Sequence, residues 1–359
     1  MPLKPTPLVV QYLYVHAPEE SFLYPTARSD ASAARLACRY LECAIAQAAS
    51  LRLRDVDCEL ALATNLRDPS ALGRAGVARF EQLDALGVQI LHADYRHRPA
   101  QDVEMFMSSR YVLDAILAAV EGQPDERQLW LVDLDCVWPN AQLVFGNAPQ
   151  PGQIGAIDIP YPPDWMIVEY AEAGRTRSDM SRLASELGGA ATLPPWIGGE
   201  LLSGTPPALR ALVATCEALD ARLAQRGQAL PAEEQVLTLA GALGLVDYCN
   251  LTHVAQRVWT GPRHGAPPVE NALSLGFWHV PAEKGLSLRR AANAIAKGRT
   301  ERLRRDLADP ARMASRFNVQ GTGLRRRLQD DGWIAMQHAR GRLHAAAARL
   351  RPRSSSRAS

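Results

Sequence analysis

Over residues 1–150 the chain repeats one pattern, a strand-length apolar run followed by a helix-forming stretch. LVVQYLYV (8–15) leads through a polar loop into the Ala-rich SAARLACRYLECAIAQAAS (32–50). CELALAT (58–64) is a second strand. RAGVARFEQLDALG (74–87) places Val77, Phe80, Leu83 and Leu86 at helical spacing and closes on Gly87. VQILHADY (88–95) is a third strand, DVEMFMSSRYVLDAILAAVEG (102–122) a helix ending at Gly122, and QLWLVDLDCVW (128–138) a fourth strand. Strands that alternate with helices in this way predict an α/β fold with a mostly parallel sheet flanked by helices.

After residue 150 the pattern loosens. IGAIDI (154–159) and LPPWIGGELLSGTPP (193–207) read as strands among Pro and Gly breakers. Helices follow at 207–227 and 231–244, the second opening with Pro231 and with Glu233 and Glu234 in its first turn, where carboxylates suit the helix dipole. Charge then changes sign. The net charge of +2 conceals 33 acidic against 22 basic side chains in residues 1–284, and 5 against 18 in residues 285–359. Such a split sets a larger domain at 1–285 apart from an Arg-rich α-helical C-terminal extension at 286–350 and a disordered tail at 351–359. The extension suits an anionic membrane surface, which attracts basic helices by about 1 kcal/mol per residue. A solvated appendage packed on the domain is the plainer alternative. Nucleic acid is not the expected partner, because only Phe317 and Trp333 interleave the basic residues. No run of 18 apolar residues predicts a transmembrane helix, and the apolar stretch at 8–10 is too short for a secretory signal. Six scattered cysteines without a C-x-x-C pair read as reduced thiols. The expected location is the cytoplasm, peripheral to the inner membrane face if the extension binds lipid.

The sharpest local feature is Leu131-Val132-Asp133-Leu134-Asp135-Cys136. The strand runs through it, so Asp133 and Asp135 project to one side. Two carboxylates at the carboxyl end of a buried strand cost several kcal/mol each unless neutralised, and strand carboxyl ends are where open α/β sheets bind ligands. The pair therefore predicts a divalent-cation site, with an Asp-capped turn as the alternative. Two enzyme classes carry Asp-x-Asp at a strand end. Haloacid-dehalogenase-like phosphatases normally place it on the first core strand and need a later acidic pair after an apolar strand. Here the motif follows three strand–helix units, and Asp330-Asp331 lies in the Arg-rich tail.

Several further motifs fall in the order found in nucleotide-sugar glycosyltransferases of the GT-A fold, and the chain resembles their retaining group that includes glycogenin and bacterial lipo-oligosaccharide galactosyltransferases. Arg110 lies on a helix before the Asp pair, and Gly155-Ala156-Ile157-Asp158 resembles the family's G-A-x-x-D strand. Ile197-Gly198-Gly199-Glu200 weakly matches the N-A-G strand and lacks its Asn. Glu233-Glu234-Gln235-Val236-Leu237 aligns with an acidic-Gln helix start, and His279 with Lys284 in HVPAEKG matches the last motif. The resemblance spans roughly residues 8–285.

It implies a Mn²⁺ or Mg²⁺ cofactor held by Asp133, Asp135 and His279, a nucleoside-diphosphate sugar donor (a UDP-sugar foremost), and a glycan or lipid-linked acceptor. Lys284 would meet the diphosphate, Val15 and His16 the base, and Arg110 and Asp158 the donor sugar region. Glu234 would be the leading catalytic carboxylate, with Glu200 the second candidate. Each position also has a plain reading: a hydrogen-bonded His beside Trp278, a surface Lys, an ion-paired Arg, a turn Asp before Pro160, and capping Glu residues. A non-catalytic nucleotide-sugar-binding protein that acts through its basic tail is a third alternative beside transferase and phosphatase.

Overall fold

The computed structural model describes residues 5–17, 20, 32–99, 108–166, 175–260, 269 and 271–319. The expected tail at 351–359 and the extension beyond 319 lie outside the described residues.

Strands β1 (Leu8–Leu13), β2 (Glu59–Thr64), β3 (Val88–His92) and β4 (Leu129–Val132) alternate with helices α1 (Ala33–Arg52), α2 (Gly73–Ala85) and α3 (Tyr111–Val120). Strand β5 (Cys136–Val137) and helix α4 (Ala141–Phe145) follow, then β6 (Ile154–Asp158), α5 (Arg177–Glu186), β7 (Ile197–Gly204), α6 (Pro206–Ala224) and α7 (Glu233–Ala242). The chain continues through β8 (Tyr248–Asn250), β9 (Ala255–Arg257) and β10 (Phe277–His279) into α8 (Ser287–Ala296), α9 (Thr300–Ala308) and α10 (Pro310–Arg316).

The main sheet has the order β3-β2-β1-β4-β7-β6-β8. Strands β1 to β4 pair in parallel, β6 pairs in parallel with β8, and β7 alone runs antiparallel, between β4 and β6. A small second sheet, β5-β10-β9, stands at the carboxyl end of β4. The mostly parallel sheet flanked by helices is the architecture read from the strand–helix alternation. Every residue of β4 and β7 is buried; β4 is apolar throughout, as a strand covered on both faces should be, while β7 also buries Glu200 and Ser203. Gly87 (φ +68°) and Gly122 (φ +67°) follow the ends of α2 and α3 in the left-handed conformation that favours glycine, as the sequence pattern requires.

Two expectations are corrected. The helix expected over 102–122 is described only from Tyr111, with Arg110 as its N-cap, and 100–107 lie outside the described residues. Residues 128–138 do not form one strand: β4 stops at Val132 and Asp133-Leu134-Asp135 turn the chain into β5. The turn forms because β5 leaves the main sheet to pair antiparallel with β10, with His279 opposite Cys136.

The extension is not a detached module over 286–319. Leu288, Ala291, Ala292, Leu303, Leu307, Met313 and Phe317 belong to the same hydrophobic core as the sheet, and α8 packs on α1. The exposed faces of these helices carry Arg289, Arg290, Lys297, Arg299, Arg302, Arg305 and Arg312.

At the other edge His97 ties three elements together. Its Nδ1 lies 2.8 Å from Asp114 Oδ1 in α3, and its Nε2 lies 2.9 Å from Glu217 Oε1 in α6. The hydrogen bond to Asp114, with help from Glu217, raises the His97 pKa despite burial. A histidine with a raised folded pKa contributes stability below its unfolded value of about 6.5 and loses it as pH rises through the folded value. His279 titrates upward in the same window, so the His97 share is read by difference. Urea midpoints should fall from pH 6 to pH 8 in the wild type and fall less in His97→Gln; equal slopes would remove His97 from the account.

Candidate metal and donor site

The site begins at the Asp-x-Asp turn. Three bonds to its main chain fix it: Asp133 N–H donates to the Glu200 carbonyl (3.0 Å), the Gln47 side-chain Nε2 donates to the Asp133 carbonyl (3.0 Å), and Val280 N–H donates to the Asp135 carbonyl (2.9 Å). β7, α1 and β10 thus hold the turn from three sides. Although the residues are in a turn rather than a strand, both carboxylates reach one place. Donor atoms of Asp133, Asp135 and His279 lie within 4.8 Å of one another.

Within this group His279 Nε2 is 3.1 Å from Asp135 Oδ2 and 3.8 Å from Asp133 Oδ2. Lys284 Nζ is 3.0 Å from Asp135 Oδ2, and it lies 5.2 Å from the centre of the Tyr40 ring. Asp135 is fully buried while the Asp133 side chain is 36% exposed, so the pair has a dry inner member and a wet outer one. Burial pushes the Asp135 carboxyl upward, but Lys284 and His279 outweigh it and hold the group ionised, well below the usual range. Burial and the Asp135 charge raise Asp133 to about 6, and solvent at the mouth tempers that rise. Burial opposes the charged form of His279, yet Asp135 and Glu200 lift it to about 9. The proton on His279 and the ammonium of Lys284 together balance carboxylates that would otherwise repel.

A divalent cation fits this donor set. Asp135 Oδ1 is buried without a hydrogen-bond partner, and two carboxylates with one imidazole match Mn²⁺, or Mg²⁺ with added water. His279 must release its proton to serve as a ligand.

Behind the cluster lies a network missed in the sequence. Arg257, directly opposite His279 in the β9–β10 pairing, donates through Nε to Glu200 Oε1 (2.9 Å) and through Nη2 to Glu200 Oε2 (2.8 Å). The same guanidinium bonds Glu234 Oε1 and donates to Tyr161 Oη (2.8 Å). Trp196 Nε1 donates to Glu234 Oε2 (2.7 Å). Glu233 lies beside Gly199, where a Cβ would meet its side chain at 2.7 Å. Burial and the Glu234 charge raise Glu233 to about 7.

The other expected site residues are distributed more loosely. Asp158 ends β6 and accepts from the Trp196 N–H (3.0 Å), which places it next to Glu234 through Trp196. Both main-chain polar groups of Val15 bond the Asn65 side chain, at 2.7 and 3.0 Å. His16 is 5% exposed, edge-on to Tyr14, and burial lowers its pKa to about 4, so the ring is neutral. Tyr14, Tyr95 and Tyr111 cluster with the Arg98 guanidinium over two of their rings. Arg110 is buried and ion-paired with Asp220 of α6, and it donates to the Leu230 carbonyl (3.1 Å). The donor contact expected of it requires that pair to open.

No family model and no curated protein matches the chain. Among solved structures it is similar to the galactosyltransferase LgtC in complex with donor and acceptor sugar analogues, at TM-score 0.45 and 12% identity, over 84% of this chain and 96% of that one. It is also similar to the bifunctional glycosyltransferase WbbM (TM-score 0.47, 9% identity, 78% and 46% of the chains). A third is mouse xyloside xylosyltransferase 1 (TM-score 0.45, 14% identity, 76% and 97%). The functional reading rests on the side-chain geometry above.

Proposed function

We propose that the chain is a metal-dependent glycosyltransferase that moves a sugar from a nucleoside-diphosphate sugar, a UDP-sugar foremost, to a glycan or lipid-linked acceptor. The observation that carries this reading is the meeting of Asp133, Asp135 and His279 beyond the carboxyl end of β4, with Lys284 at its side. Asp133, Asp135 and His279 would hold Mn²⁺ or Mg²⁺, which when bound offsets the charge developing on a departing diphosphate. Lys284 would exchange its contact with Asp135 for one with the diphosphate, adding a charge-assisted hydrogen bond. Glu234 is held at both oxygens, which suits a fixed carboxylate facing a reacting carbon better than a mobile base. Glu233, raised to about 7, is the carboxyl able to carry a proton near neutral pH. Asp158 would line the sugar region, and the loop at Val15 and His16 the base.

The phosphatase alternative needs the second Asp of the pair as a proton donor. Lys284 and His279 keep Asp135 ionised, which disfavours that role. Calorimetry with UDP- and GDP-sugars, with and without Mn²⁺, tests the transferase reading; binding indifferent to Mn²⁺ would remove the metal from it. Binding that depends on Mn²⁺ without sugar transfer to acceptor or water would instead favour the non-catalytic reading.

For the acceptor side, the exposed Arg face of α8 and α9 is the candidate contact with an anionic membrane. Among the described residues no helix is long and apolar enough to cross a membrane. The apolar stripes of α8 and α9 are already buried on the domain, so lipid attraction through this face would be electrostatic alone. Flotation with phosphatidylserine vesicles should therefore fall steeply between 50 and 300 mM salt, as screening over about 10 Å predicts; flotation that ignores salt would refute the contact.

A further inference from the structure

We propose that Glu200 is a positioning residue for the metal ligand His279, locked by Arg257, rather than a reacting carboxylate. This rests on the metal reading above. Glu200 holds two ligands at once: its main-chain carbonyl accepts from the Asp133 N–H at 3.0 Å, and its Oε1 faces His279 Nδ1 at 3.4 Å. With Nδ1 turned toward a carboxylate, Nε2 is the ring atom left facing Asp133 and Asp135, the side on which a cation would sit. The Glu200 side chain is 0% exposed, so it has no open path to a substrate.

Arg257 keeps this arrangement from relaxing. Its planar fork takes both Glu200 oxygens, and the β9–β10 register sets it opposite His279. Gly198 completes the lock, because a Cβ there would collide with the Glu200 carboxylate in this rotamer. The Ile197-Gly198-Gly199-Glu200 segment thus has a physical reason for its glycine two residues before the acid. Arg257 also bonds Glu234, so one guanidinium links the orientation of the metal ligand to that of the candidate catalytic carboxylate.

The test uses the full chain and Mn²⁺ itself as probe. Wild type, Glu200→Gln, Glu200→Asp and Arg257→Lys are titrated with Mn²⁺ by calorimetry, and metal-free melting temperatures are recorded alongside. Spin-echo spectra of the Mn²⁺ complexes read the imidazole nitrogen directly. Glu200→Gln should weaken Mn²⁺ about 10- to 100-fold, with weaker nitrogen modulation and a folded metal-free protein. Glu200→Asp should recover part of the loss, and Arg257→Lys should reproduce part of it with Glu200 intact, which keeps the test decisive if Glu200→Gln does not fold. Mn²⁺ affinity and nitrogen modulation unchanged in folded Glu200→Gln, or in Arg257→Lys where Glu200→Gln does not fold, would overturn the assignment. Failure of the wild type to bind Mn²⁺ would instead sink the metal reading on which it rests.

Discussion

Asp135→Ala is expected to remove Mn²⁺-dependent binding of a UDP-sugar, with an affinity loss on the order of 100-fold or more, about 2.8 kcal/mol. The magnitude follows from position. Loss of an outer hydrogen-bond partner to a metal ligand already costs about 10- to 100-fold, and Asp135 is the buried inner carboxylate, with one oxygen that no hydrogen bond satisfies. The substitution also frees Lys284, whose nearest acidic contact is Asp135 at 3.0 Å. Metal-free binding of the nucleotide diphosphate should therefore hold or strengthen while the Mn²⁺ increment vanishes. Calorimetry at two Mn²⁺ concentrations separates these effects. An unchanged Mn²⁺ increment in Asp135→Ala would end the assignment of the cation to this turn.

Arg257→Met should be the most destabilising substitution near the site, by about 3–5 kcal/mol, the usual result of stripping a buried charge of its partner. Arg257 is the guanidinium on both Glu200 and Glu234, and the two carboxylates are 0% and 13% exposed. Removing it leaves two acids facing each other with only His279 and Trp196 to share. Methionine keeps most of the volume, so the measured loss reports charge rather than a cavity. The double variant Arg257→Met/Glu200→Met should regain part of that stability, since apolar replacement of a whole buried pair is often neutral. Urea denaturation at fixed pH decides it, and a loss under about 1 kcal/mol would mean that the pair is solvated in solution.

The sheet was legible in the sequence because its strands and helices differ in apolar period, and His279 and Lys284 were legible because six residues of HVPAEKG hold both. The Asp-x-Asp turn was not: LWLVDLDCVW reads as one strand, and only the departure of β5 to pair with β10 breaks it. Arg257 carried no local signal either. Its partner Glu200 is 57 positions away, and Ala255-Gln256-Arg257 resembles any short polar edge. Arg110, which the resemblance places at the donor, is ion-paired with Asp220, the plain reading that its place on a helix also allows, and no local sequence signal names that partner 110 positions away. In α8 the arginines mark the exposed face and Leu288, Ala291 and Ala292 the buried one, so the helix was legible, whereas its packing against α1 depends on a contact distant in sequence.

The order in which the charges emerge along the chain has a consequence for assembly. Asp133, Asp135, Glu200, Glu233 and Glu234 all precede Arg257, His279 and Lys284. Loop closure over such separations is slow, with Asp135 and His279 144 positions apart. Until β9 and β10 dock, the acids of the turn, β7 and α7 lack the Arg257, His279 and Lys284 charges that offset them, and must stay hydrated. Arrival of the last third of the chain is then the step that both dries the centre and neutralises it. A nascent or truncated chain ending before residue 257 would carry a negatively charged, open pocket, and would gain its final stability only when the late basic residues close over it.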